Sequence, residues 1–323
     1  MYILKFQDIF KSVIWGGDKI GSFKGKNLSQ DSVGESWEIS AVEGNVSVVA
    51  NGVDAGLSLT DLIARDGVRL LGKHVMQRFG STFPLLIKFI DARDNLSIQV
   101  HPDDELAKKR HNSFGKTEMW YVIDAEQGAG LYSGFSKQIT PDEYVQRIKN
   151  DTITDVLQFH PVKAGDVFFL PAGRIHAIGK GIFIAEIQQT SNITYRIYDY
   201  NRRGKDGQLR ELHTELAKDA IDYKMYRELK TVYTPDRNRA VKLVECPYFT
   251  TSLLNLDKAV TRPVSTHDSF SVFICMGGKV TIADDAGFVV EMRQGETCLV
   301  PAATGQVTIT PECETILLES YIG

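Results

Sequence analysis

Short apolar runs, set apart by Gly, Asn and Asp, make up most of the chain. The runs are rich in Val, Ile and Phe, which pack well on a pleated surface, and their lengths suit the strands of a sandwich or barrel. The main predicted strands of the N-terminal part span residues 36–41, 46–50, 85–90, 96–100, 119–125, 166–170 and 182–188. This pattern predicts a mainly β protein.

Helical patterns are fewer, and two of them carry clear start signals. Thr140 is a suitable N-cap for a helix that has Pro141 in its first position and acidic residues in its first turn. Asp103 and Asp104 likewise favour a helix start directly after Pro102. We predict helices over residues 58–64, 68–79, 103–110, 141–150 and 211–221, which places short helical segments at about 57–80 and 140–151 at the edge of a β core.

A polar segment near residues 230–239 divides the chain. It contains the sequence TPDRNR, and short predicted strands resume after it. We therefore predict a domain over residues 1–235 and a smaller, all-β C-terminal module over residues 236–323.

A weak internal repeat links these two parts. Residues 163–176 read KAGDVFFLPAGRIH and residues 293–306 read RQGETCLVPAATGQ, with a glycine and a proline six positions apart in each copy. The first copy ends in His176 and the second does not end in a histidine. The repeat predicts two related β barrels of which only the first has an active site, although two coincidental Gly-x5-Pro turns would give the same pattern.

Charge and length exclude several classes of function. The 323 residues carry 37 basic and 41 acidic side chains, and a net charge of -4 gives no electrostatic reason to expect nucleic acid or an anionic membrane as a partner. No apolar run approaches the ~20 residues of a membrane-spanning helix, and the N-terminus has no signal-peptide pattern. The four cysteines form no CxxC pair, so we expect free thiols. These features predict a cytoplasmic protein.

The most informative polar positions lie in and after the predicted strand 96–100. Alternation places Ser97, Gln99 and His101 on one face, and Leu96, Ile98 and Val100 on the other. The second face is plainly core, so three polar side chains on the first face need a reason. Proline then ends the strand and leaves the histidine at its end, where functional sites often lie.

Three further polar side chains complete a candidate metal site. Lys116 and Glu118 alternate into the apolar strand that follows them, and His176 comes from a Pro-Ala-Gly-Arg-Ile-His turn. Gln99, His101, Glu118 and His176 together offer the nitrogen and oxygen donors that suit zinc, although ligand type alone does not separate Zn from Fe, Mn, Co or Ni. The remaining histidines lie in structural contexts.

Arg196 is a separate candidate. It lies among tyrosines, ten residues after the polar strand position Glu186. A salt-bridged surface arginine is the alternative interpretation.

These residues resemble the type I mannose-6-phosphate isomerase (phosphomannose isomerase) family in its short bacterial form. The resemblance covers residues 5 to 205, and its Gln-x-His-Pro and Gly-Lys-x-Glu pair is highly specific. The segment from Gly165 to His176 is similar to the second cupin motif, whereas Gln99 stands where the first cupin motif has its first histidine. The runs that carry the resemblance are WGG from Trp15, GESWE from Gly34, PLLIKF from Pro84, LSIQVHPD from Leu96, GKTEM from Gly115 and NITYR from Asn192.

The resemblance implies a fold and a set of roles. It implies a cupin, or jelly-roll, barrel with a smaller, degenerate C-terminal barrel that has no metal ligands. It places one Zn²⁺ per chain on Gln99, His101, Glu118 and His176. The active-site arginine falls on Arg196, and Lys116, Glu186 and Ser97 match other positions of the pocket, with Lys116, Ser97 and Arg196 expected to contact the substrate.

The reaction that the resemblance implies is the interconversion of D-mannose 6-phosphate and D-fructose 6-phosphate through a cis-enediol. Lys116 and Glu186 compete for the role of general base, and the sequence does not choose between them. The alternatives are a metal-dependent cupin oxygenase and a non-catalytic, sugar-phosphate-binding cupin. The expected partner is a sugar phosphate, and the sequence does not determine an oligomeric state.

Overall fold

Four antiparallel sheets form the body of the protein. The computed structural model describes residues 1–204 and 207–323. The mainly β, cupin-type fold predicted from the sequence is confirmed. The term barrel needs correction, because the strands of each half pair in two separate facing sheets and their hydrogen bonds do not close into one ring in the described part of the chain.

The N-terminal half contains a seven-stranded and a five-stranded sheet. The first has the order β13 (Lys230–Thr231), β9 (Val167–Leu170), β6 (Glu118–Ala125), β11 (Ile182–Gln189), β4 (Leu85–Ala92), β3 (Val33–Ile39) and β2 (Ile9–Ser12). The second has the order β12 (Tyr195–Tyr198), β5 (Ile98–Val100), β10 (His176–Ala177), β7 (Gly130–Phe135) and β8 (Leu157–Pro161).

The C-terminal half repeats this arrangement with six and four strands. Its larger sheet has the order β1 (Leu4–Lys5), β20 (Thr297–Val300), β17 (Ser271–Gly277), β22 (Thr315–Tyr321), β15 (Thr250–Leu256) and β14 (Ala240–Glu245). Its smaller sheet has the order β16 (Val260–Pro263), β21 (Gln306–Pro311), β18 (Lys279–Asp284) and β19 (Val289–Arg293).

Alternating side chains explain how the sheets stack. In β6, Trp120 and Val122 enter the core between the two N-terminal sheets, whereas Met119 and Tyr121 enter the core shared with the C-terminal half. In β17, Phe273 likewise enters the core between the two C-terminal sheets, and Ile274 enters the core shared with the N-terminal half. Both larger sheets are therefore buried on both faces, and the smaller sheets lie outside them.

The helices lie at the margins, and the predicted start signals operate. Thr140 accepts a hydrogen bond from the Glu143 amide at 3.1 Å, and Asp103 accepts one from the Leu106 amide at 2.8 Å. The described part of the chain contains the helices α1 (Lys19–Lys24), α2 (Leu59–Leu71), α3 (Lys73–Phe79), α4 (Asp104–His111), α5 (Pro141–Lys149) and α6 (Thr214–Ala220), with short 3₁₀ turns at Gly52–Asp54, Ile153–Val156 and Ser265–His267.

Two local predictions were wrong or incomplete. The strand predicted at 46–50 is absent, because Val48 and Val49 bridge to two different partners, Ser58 and Phe6, and no ladder continues. The helix α1 was not predicted, since six residues give too short a stretch for a helical period. All four cysteines are free, as expected.

The internal repeat is visible as the same turn built twice. The amide of Gly165 donates to the Val122 carbonyl at 2.8 Å, and the amide of Gly295 donates to the Cys275 carbonyl at 2.8 Å. Both glycines have positive φ, +85° and +81°, which only glycine adopts at little cost. The strand that follows each turn, β9 or β20, has four residues and ends directly before a proline.

Candidate active site

Three strands from two sheets bring the predicted ligands together. Gln99 of β5 is the register partner of His176 of β10, and Glu118 begins β6 in the facing sheet. The Nε2 atoms of His101 and His176 lie 3.5 Å and 3.3 Å from the two carboxylate oxygens of Glu118. The amide group of Gln99 lies 3.3 Å from Nε2 of His176. The structure thus gathers all four predicted ligands at one place.

Backbone carbonyls fix the orientation of both imidazoles. Nδ1 of His101 donates to the Ile193 carbonyl, and Nδ1 of His176 donates to the Arg174 carbonyl, each at 2.8 Å. With the proton on Nδ1, each Nε2 atom is an acceptor: that of His101 lies 3.1 Å from Lys116 Nζ, and that of His176 lies 3.3 Å from the Gln99 amide nitrogen. Hydrogen bonds to backbone carbonyls orient imidazoles that bind metal ions.

Burial keeps both imidazoles neutral. It lowers the pKa of His176 to about 3, and the Lys116 charge acts in the same direction; burial also lowers the pKa of His101 well below its usual range. Burial raises the pKa of Glu118 to about 7, against the opposing effect of Lys116. Oxygen Oε1 of Glu118 is buried and has no hydrogen-bond donor.

These observations test whether the residues fit a metal ion. His176 Nε2 and Glu118 Oε1 are two acceptors 3.3 Å apart, and Oε1 has no donor among the described residues, so a cation or a proton between them would be favourable. The ligand atoms of His101, Glu118 and His176 lie within 4.8 Å of one another, and all three residues are buried. The donor set therefore fits a divalent cation.

A chain of alternating charges continues from the ligands. Nζ of Lys116 lies 2.6 Å from Glu118 Oε2 and 3.9 Å from Glu186 Oε1. Lys88 Nζ lies 3.2 Å from Glu186 Oε1 and 3.8 Å from Glu35 Oε2. Burial alone would raise the pKa of Glu186, but Lys116 and Lys88 outweigh it and lower the pKa to about 2.

Most of these side chains line one cavity of about 370 Å³. Ser97 and Gln99 line it while Ile98 and Val100 of β5 pack on the outer core, as the alternation predicts. Leu96 departs from the prediction and lines the cavity, because it precedes β5, which begins at Ile98. The cavity is lined by Val13, Trp15, Glu35, Lys88, Ile90, Leu96, Ser97, Gln99, Lys116, Ile178, Glu186, Asn192, Thr194, Arg196 and Arg210.

Arg196 lies beside the predicted ligands. It is the register partner of Gln99, so Arg196, Gln99 and His176 form a row across three neighbouring strands. Its Nη1 donates to the Glu211 carbonyl at 2.9 Å, and its buried Nε has no acceptor within residues 1–204 and 207–323. No ion pair joins Arg196 to a carboxylate of the described residues, so it is not the salt-bridged surface arginine of the alternative interpretation.

Sequence reasoning missed Lys88, Glu35 and Arg210. Lys88 offered a signal, because it is the single charged residue within the apolar run 85–90 and a lone lysine in a buried strand needs carboxylate partners. Arg210 offered none, since it follows the strand β12 in an irregular segment. Two histidines outside the predicted set have other contacts: His111 faces the Tyr195 hydroxyl, and His267 stacks on Tyr321.

Comparison with known proteins agrees with this geometry. The family model described as phosphomannose isomerase type I, catalytic domain, matches residues 3–128, and the mannose-6-phosphate isomerase cupin-domain model matches residues 239–320. No helix in the described ranges has the length and apolar character needed to span a bilayer.

Relatives match over nearly the whole chain. Mannose-6-phosphate isomerase ManA of Bacillus subtilis is 34% identical over 97% of this chain and 98% of its own length. The mannose-6-phosphate isomerase of Streptococcus mutans is 36% identical over 89% of both chains. The crystal structure of a Bacillus subtilis mannose 6-phosphate isomerase superposes with a TM-score of 0.87 at 28% identity, with 99% of both chains covered. This chain therefore belongs to the type I mannose-6-phosphate isomerase family.

Proposed function

We propose that this protein interconverts D-mannose 6-phosphate and D-fructose 6-phosphate. The observation that carries the proposal is a cavity lined by Lys88, Lys116 and Arg196, beside which the imidazole–carboxylate cluster lies buried, 2.6 Å from Lys116 Nζ. Its relatives of similar length bear the name of this activity. The substrate class is therefore a hexose phosphate.

The reaction moves one proton from C2 to C1 and one from the C2 hydroxyl to the C1 oxygen, and it leaves the carbon skeleton intact. A base removes the proton from C2 of the open-chain aldose, the electron pair forms the C1–C2 double bond of a cis-enediol, and the carbonyl oxygen at C1 gains a proton. Returning a proton to C1 while the C2 hydroxyl loses one gives the ketose. The protein must supply a proton carrier and stabilise the negative charge on oxygen.

Gln99, His101, Glu118 and His176 would hold the metal ion. We propose one Zn²⁺ per chain, because two imidazoles, a carboxylate and an amide oxygen suit this ion. A bound divalent cation supplies Lewis-acid polarisation of the substrate oxygens. The two backbone carbonyls that orient the imidazoles keep their Nε2 lone pairs available for it.

We assign the proton transfer to the pair Lys116 and Glu186. Lys116 Nζ and Glu186 Oε1 are 3.9 Å apart, and both side chains line the cavity. Trp120 Nε1 donates to Glu186 Oε2 at 2.9 Å, which orients this carboxylate, and Lys88 contacts its other oxygen. Ser97 and Arg196 line the same cavity and are proposed to contact the substrate.

Residues 236–323 contribute no side chain to this cavity. We propose that residues 1–235 form the catalytic domain and that residues 236–323 form a cupin-like module without metal ligands. The N-terminal strand β1 nevertheless pairs with β20 of the C-terminal half, so the two parts share hydrogen bonds.

The experiment that tests the function is a coupled assay of the purified protein with mannose 6-phosphate, paired with elemental analysis. We expect isomerisation, about one zinc per chain, loss of activity after dialysis against a chelator and recovery with Zn²⁺. Lys116→Met and Glu186→Gln should each lower kcat by about 10²–10⁴-fold while zinc is retained. His267→Ala, which alters the C-terminal half, is the control and should leave the kinetics unchanged.

Three results would contradict the proposal. Full activity in metal-free protein would reject the site, and binding of mannose 6-phosphate without turnover would indicate a non-catalytic binding protein. Iron-dependent consumption of oxygen would indicate a cupin oxygenase instead, because an isomerase is indifferent to oxygen.

A further inference from the structure

The basic residues that line the cavity are not equally neutralised. Lys116 and Lys88 face Glu118, Glu186 and Glu35 at distances between 2.6 and 3.9 Å. Their positive charge is therefore balanced within the protein.

The arginines beside them lack this balance. Asp199, which is buried, is shared between two guanidinium groups: Arg202 Nη2 lies 2.6 Å from Oδ1 and Arg210 Nη1 lies 3.3 Å from Oδ2. Among the described residues, Arg196 forms no ion pair with a carboxylate, and the side chain of Glu211 nearby is 83% exposed. Arg202 also lies 3.4 Å from Asp94, which is exposed, so Asp199 is the one buried carboxylate of the described residues that pairs with these guanidinium groups.

Arg196 and Arg210 line the cavity, whereas Arg202 does not. Both groups carry a positive charge and line the same cavity, so they repel each other; burial lowers the pKa of Arg210, and the charge of Arg196 acts in the same direction. An anion bound between them would relieve this repulsion. A phosphate group suits such a place, because planar guanidinium groups donate two parallel hydrogen bonds to its oxygens.

The position of the arginines also fits the shape of the substrate. In the open-chain hexose, the phosphate on C6 lies four carbon–carbon bonds from the reacting C2. The row His176, Gln99, Arg196 crosses three strands, so the arginine end lies two strand spacings, roughly 10 Å, from the imidazole end. One substrate can therefore place its carbonyl end near the imidazoles and its phosphate near the arginines.

We infer that Arg210, together with Arg196, binds the phosphate group of the substrate and selects the phosphorylated sugar over the free hexose. Asp199 is a positioning residue, since its carboxylate contacts both Arg210 and Arg202 and its Oδ1 accepts a hydrogen bond from each. This inference rests on the proposed function and adds a residue that determines substrate specificity.

The test compares Arg210→Met with the wild-type holoenzyme. The variant should raise KM for mannose 6-phosphate by about 10- to 100-fold with little change in kcat, because a charge-assisted hydrogen bond to bound substrate is lost. Inorganic phosphate, measured by calorimetric titration, should bind the variant more weakly by a similar factor. Arg210→Lys, which keeps the charge but loses the planar fork, should fall between the two proteins.

Arg239→Met is the matched control, because Arg239 is 80% exposed and lies outside the cavity. Unchanged phosphate binding in Arg210→Met, or a fall in kcat at constant KM, would overturn the inference, provided that zinc content and circular dichroism match the wild type. If the wild-type protein binds phosphate but shows no isomerisation, and Arg210→Met weakens phosphate binding, the proposed function fails and the phosphate site stands.

Discussion

At the residue scale, the site consists of buried charged side chains, which would destabilise the protein in a purely apolar part of the core. Lys88 lies in β4, Glu186 in β11 and Glu118 at the start of β6, with Lys116 two residues before it, and all four side chains are buried. Each is tolerable because a partner of opposite charge lies close by, and one oxygen of Glu118 has no donor among the described residues. This free acceptor oxygen lies 3.3 Å from His176 Nε2, a donor arrangement that fits a cation.

Arg196→Ala provides the test at this scale. We expect kcat/KM to fall by ~10²-fold or more, since a guanidinium group that contacts developing negative charge or phosphate would be lost. Zinc content should not change, because Arg196 contributes no ligand atom to the imidazole–carboxylate cluster. Steady-state kinetics with elemental analysis measures both, and near wild-type kinetics would remove Arg196 from the site.

At the element scale, β6 and β11 of the first half correspond to β17 and β22 of the second half, but the residues at equivalent positions differ. Trp120 faces Glu186 in the first half, and Phe273 faces Glu319 in the second, at the same offset from the shared glycine turn. Glu118 corresponds to Ser271, since each is the partner of the last residue of the strand that follows the turn. The second half therefore keeps a buried carboxylate but has Ser271 in place of the proposed metal ligand Glu118.

Glu319 is held by an arginine instead of by lysines. Arg262 donates to Glu319 Oε2 from Nε at 3.1 Å and from Nη2 at 2.7 Å, and the other oxygen has no hydrogen-bond partner among the described residues. Two guanidinium nitrogens on one oxygen of Glu319 thus take the place of the two lysines that face Glu186, its counterpart in the first half.

Arg262→Met should destabilise the protein by on the order of 3 kcal/mol, because Glu319 would remain buried without its counter-charge. Burial raises the pKa of Glu319 and Arg262 opposes this rise, so the pKa will be higher still in the variant. A carboxyl group whose pKa is raised in the folded state destabilises that state while it is ionised, and this cost disappears as pH falls through the raised pKa. The loss of unfolding free energy in Arg262→Met should therefore be larger at pH 8 than at pH 5.5.

Urea unfolding at the two pH values measures this difference. The double variant Arg262→Met/Glu319→Gln should recover part of the stability at pH 8, since the buried charge is gone. A deficit that does not depend on pH would show that Glu319 is not its source.

At the scale of the whole molecule, the two halves are joined by a buried ion cluster as well as by a shared apolar core. Nζ of Lys24 lies 2.7 Å from Glu38 Oε2 and 3.1 Å from Asp8 Oδ1, and it donates to the Gly295 carbonyl at 2.5 Å. Gly295 is the turn glycine of the C-terminal copy of the repeat. This contact fixes the C-terminal turn against the helix α1.

Lys24→Met should cost about 3–5 kcal/mol of unfolding free energy, because Glu38 would be left buried and unpaired. Lys26→Met is a matched control two residues away: Lys26 is 43% exposed, and its loss should cost at most about 1 kcal/mol. Chemical denaturation measures both values, and equal effects of the two substitutions would contradict a structural role for the buried cluster.

The sequence by itself determined features that depend on neighbours along the chain. Alternation in β5 and β6, the side-chain caps of α4 and α5, the glycine turns of the repeat and the ligand candidates all follow from local backbone geometry and motif spacing. The family resemblance supplied the expected activity, because its motifs lie at fixed spacings in the chain.

Contacts between residues that are far apart in the chain were decided only by the tertiary structure. Sequence cannot place Lys88, Glu35 and Arg210 beside the imidazoles, since register between distant strands and the path of an irregular segment are fixed by packing and not by local preference. The same holds for β1, whose residues Leu4–Lys5 pair with a strand almost 300 residues later, and for the buried charges that find their partners only in the folded chain.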